Sequence, residues 1–379
     1  MDKVSFKTDI YMGNRALDRL CEIREKKVFV ITDPFMVSSG GIEQITNRLH
    51  KGNNEVCVFS DIVPDPPIET VVAGVKEIEA FRPDIMIALG GGSAIDAAKA
   101  IKEFSLKIIG DGRMPFIAIP TTSGTGSEVT SFSVITDRDK HIKYPLVADT
   151  LLPEEAILDP ELVKTVPKAV TADTGLDVLT HALEAYVSIR ANEISDALAE
   201  KAVFLVFEYL QRAYDNGNDM EAREKMHIAS CIAGMAFNLV GLGLNHGIAH
   251  VCGAKFHIPH GRMNSILLPA VIEYNADVKG YESRDCSLAA KKYATLAKRL
   301  GLAASNPRTG VKSLIRAIEN LQKQMDMPTC LRACGVSYTK IEDLKESIAQ
   351  AALQDGCTKT NPKQPTAKEI QKIILKIYN

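Results

Sequence analysis

The stretch 84-DIMIALGGGSAIDAAKAI-101 decides the fold. Residues 84–89 form a short apolar run with the length of a buried strand, three glycines follow, and apolar residues then recur at helical spacing. Strand, glycine turn and helix together make the opening of a parallel α/β unit. In that geometry backbone N–H groups and the positive end of the helix point at the turn, where phosphate binds. Glycine leaves out the Cβ that would block close approach. The spacing is not GxGxxG, so taken alone the turn fits a plain structural connection as well as a phosphate site.

Working outward, 28-VFVIT-32, 55-EVCVFS-60 and 116-FIAIP-120 are further apolar strands, and 41-GIEQITNRLHK-51 and 68-IETVVAGVKEIEAF-81 have helical periodicity. Apolar runs of this kind predict a sheet covered on both faces. A second loop, 120-PTTSGTGSE-128, places hydroxyls and two glycines directly after a strand. By itself it fits a surface loop; two such loops after neighbouring strands favour a nucleotide. Asp33 ends the first of these strands, where a carboxylate accepts hydrogen bonds from a ribose diol and repels a 2′-phosphate, which favours NAD over NADP; a plain turn aspartate before Pro34 is the alternative.

After Pro153 strand signals nearly vanish, and 194-ISDALAEKAVFLVFEYLQRAY-214, 221-EAREKMHIASCIAGMAFNL-239 and 285-DCSLAAKKYATLAKRLG-301 read as helices. The predicted division is an α/β domain over 1–165 and a helical domain over 166–379. Four of the eight histidines fall within 246-HGIAHVCGAKFHIPH-260. His246 and His250 are one helical turn apart, and Pro259 and Gly261 flank His260 with a bend that returns its imidazole toward the helix. Upstream, 171-TADTGLDVLTHALEAYVS-188 carries Asp177 and His181 at the same four-residue spacing, beside an apolar stripe of Leu176, Leu179, Leu183 and Tyr186. A carboxylate with several imidazoles suits a divalent transition metal. The bland alternative is a set of core or surface histidines.

The net charge of −2 and pI near 6.5 give no electrostatic case for nucleic acid or an anionic membrane. No apolar run approaches a membrane span, and the opening residues lack the apolar core of a signal peptide, so the expected location is the cytoplasm. The eight cysteines are scattered, without a CxxC, and read as reduced thiols. Cys252 alone sits among the histidines, where it reads as a small apolar helix residue.

In combination and in order, GGGSAIDAAKAI, IPTTSGTGSE, TADTGLDVLTHALEAYVS, GLGLNHGIAHVCGAKFHIPHG and TNPKQPT resemble the iron-containing (group III) alcohol dehydrogenase family across essentially the whole chain. HIKYPLV, LVFEYLQRAY and AKFHIPHGRMNSILLP point further, to the 1-propanol/ethanol dehydrogenases of bacterial microcompartments. The resemblance implies a dehydroquinate synthase-like fold: an α/β N-terminal dinucleotide-binding domain plus an all-helical C-terminal metal-binding domain, with the active site in the cleft between. It implies Asp177, His181, His246 and His260 as ligands of Fe²⁺, with Zn²⁺ the alternative. His250 matches a histidine near nicotinamide and substrate, with a catalytic role, and His257 stands where many relatives carry Asn. For NAD(H), Gly91, Gly92 and Ser93 match the pyrophosphate loop, Thr121, Thr122 and Thr125 the second loop, Asp33 the acid linked to NAD preference, and Lys143 a lysine near the nicotinamide ribose. Asp65-Pro66 replaces a frequent Asn-Pro, and Ala148 a frequent aspartate.

The expected reaction is metal-assisted hydride transfer between NAD(H) and short-chain aldehydes or primary alcohols, propionaldehyde/1-propanol or acetaldehyde/ethanol. Diols or hydroxy acids are the alternative substrates within the family. Phe237, Leu239 and Val240 are candidate pocket residues, each also readable as helix packing. Expected partners are the small substrate, further copies of the chain in a homodimer or larger homo-oligomer, and an aldehyde dehydrogenase in a microcompartment lumen. A metallohydrolase using the same ligands leaves both phosphate loops unexplained, and a binding protein predicts no turnover.

Overall fold

A computed structural model of the chain describes residues 4–109, 113–138, 142–279 and 286–379. In chain order its strands and helices are β1 (Asp9–Met12), β2 (Lys27–Thr32), α1 (Pro34–Ser38), α2 (Gly41–His50), β3 (Glu55–Phe59), α3 (Ile68–Phe81), β4 (Ile85–Gly90), α4 (Gly92–Ile109), β5 (Phe116–Pro120), β6 (Phe132–Asp137), β7 (Ile142–Val147) and β8 (Glu155–Leu158). There follow α5 (Lys168–Val187), α6 (Glu193–Asp215), α7 (Met220–Val240), α8 (Leu244–Phe256), α9 (His260–Ala276), α10 (Leu288–Arg299), α11 (Pro307–Gln324), α12 (Tyr338–Gln354) and α13 (Ala367–Lys376).

The chain divides into two compact units, one of residues 1–166 with 218–238 and one of 167–217 with 239–379. The sequence pattern places the boundary at 165/166 and 218–238 in the helical domain; in the structure α7, up to Asn238, counts with the first unit.

The first unit is built on a parallel six-stranded sheet, in the order β1-β8-β5-β4-β2-β3. Successive side chains of a strand point to opposite faces, and here both faces are covered. Phe29, Ile31, Met86, Ala88, Phe116 and Ala118 pack with Val75, Ile78, Ala97 and Ile101 of α3 and α4. Their neighbours Val28, Val30, Ile87, Leu89, Ile117 and Ile119 pack on the other face with Ile45 and Leu49 of α2 and with Leu17 and Leu20. Each fully buried Val, Leu, Ile, Phe or Met among them contributes about 1.5–3 kcal/mol. The chain leaves β2 to build β3 on one side and returns to lay β4 on the other. This reversal opens a crevice at the C-terminal ends of β2 and β4, the position where open α/β sheets bind ligands. Strands β1 and β8 and the antiparallel β6–β7 hairpin add to the sequence expectation.

The second unit is helical, as expected of this half of the chain. Helix α5 is buried around nearly its whole circumference and forms the centre. Helices α8 and α9 bring Leu244, Ile248, Cys252, Phe256, Leu267 and Val271 against Ile341 and Ile348 of α12 and Ile370 and Ile374 of α13. Cys252 is part of this core, and burial pushes its thiol up to about 12. All eight cysteines are free. Among the described residues no single helix is long and apolar enough to cross a membrane.

Candidate metal centre and cofactor loops

Helix α5 presents Asp177 and His181 one turn apart, both buried. Helix α8 adds His246 from its first turn. His257 then ends α8 in the left-handed conformation (φ 57°, ψ 40°). That region suits Asn and tolerates His, which gives His257 a backbone role. The reversal lets α9 start at His260, directly after Pro259. The bend expected from Pro259 and Gly261 is thus in place. Gly261 is required there, because a Cβ on it would stand 2.2 Å from the Asp173 carbonyl oxygen.

Ligand atoms of Asp177, His181, His246 and His260 all lie within 4.8 Å of one another. The rings of His181 and His246 stack at 4.6 Å, and those of His246 and His260 lie 5.4 Å apart. His246 Nδ1 is 2.6 Å from Glu184 Oε2, while Glu184 Oε1 accepts from the Asn245 N–H at 2.6 Å. On the inner side, the Asn264 amide nitrogen is 2.7 Å from Asp177 Oδ1, 3.0 Å from His246 Nε2 and 3.1 Å from His260 Nε2. The Asn264 amide is oriented by Asn245, whose Nδ2 donates to Asn264 Oδ1 at 2.9 Å.

The proton positions follow from these contacts. Asn264 Nδ2 is a donor, so the nitrogens it faces carry lone pairs, and the His246 proton sits on Nδ1, donating to Glu184. Burial, then the neighbouring His181, His260 and His250, hold His246 well below its ordinary pKa and keep it neutral. Burial pushes Glu184 up to about 8, against the N–H groups of Asn245, Gly243 and His246 that favour its charged form. The amide offers two hydrogens to three converging acceptors. A cluster this rich in lone pairs and poor in protons fits a divalent cation, and the carboxylate-plus-imidazole donor set fits Fe²⁺ or Zn²⁺.

His250 lies beside this cluster, its ring stacked on His260 at 5.4 Å. Its Nδ1 is 2.8 Å from Asp355 Oδ2. Burial pulls Asp355 upward, but His250 and the Cys357 N–H outweigh it and hold the carboxyl below its ordinary range. Asp355 therefore accepts as a carboxylate. Asn264, Glu184 and Asp355 are not legible in the sequence as site residues: polar residues in helical or loop stretches carry no spacing signal of their own. A buried acid in the apolar run LTHALEAYV was the one available hint.

In the first unit, Asp33, Gly90 and Pro120 sit at the C-terminal ends of β2, β4 and β5. Asp33 Oδ1 caps α1 by accepting from Met36 N at 3.0 Å. Gly90 has φ 157°, and a Cβ there would stand 2.6 Å from Ala94 Cβ and 3.3 Å from Asp33 Oδ2. The two loops meet: a Cβ on Gly91 would lie 3.3 Å from Thr122 Oγ1, and one on Gly92 2.7 Å from Thr125 Cγ2. Thr121 N donates to Gly90 O at 3.0 Å. Ser93 follows Gly92 in the first turn of α4. A glycine cradle at the start of an eighteen-residue helix, at the reversal of the strand order, fits the pyrophosphate of a dinucleotide. Lys143 pairs with Thr136 in the β6–β7 hairpin. Asp65 takes φ 52°, a left-handed position where Asp and Asn are both tolerated. Phe237 and Val240 are buried.

Residues 7–160 match the iron-containing alcohol dehydrogenase family, and residues 171–378 match the Fe-containing alcohol dehydrogenase family, C-terminal. The 1-propanol dehydrogenase PduQ of Citrobacter freundii is 47% identical over 376 residues, covering 99% of each chain. The crystal structure of a 1,3-propanediol oxidoreductase is similar with a TM-score of 0.90 at 31% identity, covering 100% of both chains. Sulfoacetaldehyde reductase from Bifidobacterium kashiwanohense, solved in complex with NAD+, is similar with a TM-score of 0.86 at 29% identity, covering 100% of this chain and 98% of that one.

Proposed function

We infer the function from one premise: the chain belongs to the iron-containing alcohol dehydrogenase family. It is an oxidoreductase that interconverts alcohols and aldehydes with NAD(H), and iron is the metal of its family. Within that activity we propose short-chain substrates, propionaldehyde/1-propanol or acetaldehyde/ethanol. The full-length likeness to a 1-propanol dehydrogenase supports this choice. From the resemblance of HIKYPLV, LVFEYLQRAY and AKFHIPHGRMNSILLP to microcompartment dehydrogenases we further propose a place in a microcompartment beside an aldehyde dehydrogenase that supplies or removes the aldehyde.

The observation that carries the chemistry is the convergence of Asp177, His181, His246 and His260. In this reading these four hold the metal. Gly91, Gly92, Ser93, Thr121, Thr122 and Thr125 hold the pyrophosphate and nicotinamide side of NAD(H), with Lys143 at its ribose. Asp33 takes the adenosine ribose diol and disfavours a 2′-phosphate. When bound, iron supplies Lewis acidity at the substrate oxygen, and NAD(H) supplies or accepts the hydride. Glu184 fixes the His246 tautomer, and Asn264 holds one carboxylate oxygen of Asp177. His250, with Nδ1 tied to Asp355, keeps Nε2 to move a proton to or from the reacting oxygen.

The test is anaerobic NADH oxidation with propionaldehyde on protein stripped of metal and refilled with Fe²⁺ or Zn²⁺. We expect turnover to return with metal and to be lost in His260→Ala. Bound metal and bound NADH without turnover would refute short-chain aldehydes as substrates. Faster turnover of a hydroxyaldehyde would transfer the assignment to diols.

A further inference from the structure

One face of α7 is fastened along its length to the second cofactor loop and the segment after it. His227 Nδ1 is 3.0 Å from Ser123 Oγ. Cys231 packs with Val129, Ala156 and Leu158. Gly234 lies against Gly126 so closely that a Cβ on Gly126 would stand 2.7 Å from Gly234 Cα. Asn238 Oδ1 accepts from Ser131 N at 2.9 Å and Ser131 Oγ at 3.0 Å. Positions 227, 231, 234 and 238 form a single helical stripe. On its other side the segment is tied to α4: Ser127 Oγ donates to Asp96 at 2.6 Å, and Lys99 Nζ donates to Ser127 Oγ, Thr130 Oγ1 and two carbonyls.

Residues 126–131 are thus fixed from two directions. The hydroxyl-bearing residues 121–125 are held by the Thr121 N–H bond to Gly90 and by His227. His227 is 1% exposed, and burial drives its pKa to about 4, only partly opposed by the Pro120 carbonyl. It is a buried, uncharged imidazole that no step of the proposed reaction uses.

We propose that His227 is a positioning residue for NAD(H): it fixes the Ser123 hydroxyl and so holds residues 121–125 in the shape that receives the dinucleotide. This rests on the reading of the 120–128 loop as a cofactor site. Because residues 126–131 have their own ties, loss of His227 loosens the loop without removing α7 from beneath it.

NADH titration by fluorescence on the metal-loaded enzyme tests this in His227→Leu, Ser123→Ala, the double variant and His227→Asn. We expect each of the first two to weaken NADH binding about tenfold, the loss of one buried hydrogen bond. The double variant then binds no more weakly than either single one, because both remove the same bond. His227→Asn, with an amide within reach of Ser123, recovers to within roughly threefold of wild type. Metal content stays unchanged. Unchanged NADH affinity in the single variants, or losses that multiply in the double, would overturn the proposal. If His227→Leu does not fold, Ser123→Ala and His227→Asn decide it: normal NADH affinity in the first, or no recovery in the second, refutes it. Failure of the wild-type enzyme to bind NADH would instead bring down the cofactor reading, and this proposal with it.

Discussion

Burial sets the proton state of single residues in both units, and His227 and Glu128 show how opposite signs combine. His227 titrates near pH 4 in the folded chain and 6.5 ordinarily. As pH falls through that window the unfolded chain takes up a proton that the folded chain refuses, and stability drops. Burial moves Glu128 the other way, from 4.5 to about 7. Folded protein keeps that proton while unfolded chain has released it, so its contribution to stability is lost as pH rises from 4.5 to 7. The two slopes oppose one another between about pH 4.5 and 6.5. Subtracting the denaturation profile of His227→Gln from that of wild type isolates the first. The stability difference should shrink by up to ~1.4 kcal/mol per unit as pH falls from 6 to 5. Parallel profiles would show that His227 does not stay neutral in the folded protein. Legibility differs in the same way from residue to residue. His181, His246 and His260 stood out because histidine is rare in this chain, and Asp177 because it stands four residues before His181. Glu184 and Asn264 gain meaning only from contacts across 62 and 18 residues of sequence, which periodicity does not record.

At the scale of elements, the apolar strands were the most readable. The runs at 28–32, 55–60, 84–90 and 116–120 coincide with β2, β3, β4 and β5. These strands lie side by side, and β2, β4 and β5 are buried on both faces, so their sequences are continuous and apolar. Strand β1 is four residues of partly exposed edge, DIYM, and β8 is equally short, so neither has a run long enough to register. Helix α7 was legible as a helix but not as part of the first unit, because its decisive feature is a pair of glycines. Gly234→Ala should make that contact visible. Its Cβ would meet Gly126 Cα, Gly126 O and Val129 Cγ2 at 2.9 Å each, atoms that are mostly backbone and cannot retreat cheaply. We expect a loss of about 1–3 kcal/mol in denaturant stability, with weaker NADH binding and unaltered metal stoichiometry. A variant as stable as wild type would mean that the helix and loop are not in contact in solution.

For the whole molecule, the two candidate ligands fall to different units, which hydrogen exchange can read separately. A ligand protects the segments it binds by stabilising the native state. Added Fe²⁺ or Zn²⁺ should slow exchange in α5, α8 and α9, and NADH should slow it in residues 90–98 and 120–126. Protection of 90–98 by metal alone would contradict the assignment of ligands to segments. The division of labour also has a temporal side. The four proposed metal ligands are spread from Asp177 to His260, and Asn264, which lies against three of them, comes later still. A chain emerging from the ribosome has its two glycine-bearing loops early but offers an ion only Asp177 and His181 of the four until residue 246 has been made. If these four side chains hold the metal as proposed, the complete donor set exists only after the sheet and its two loops have been synthesised.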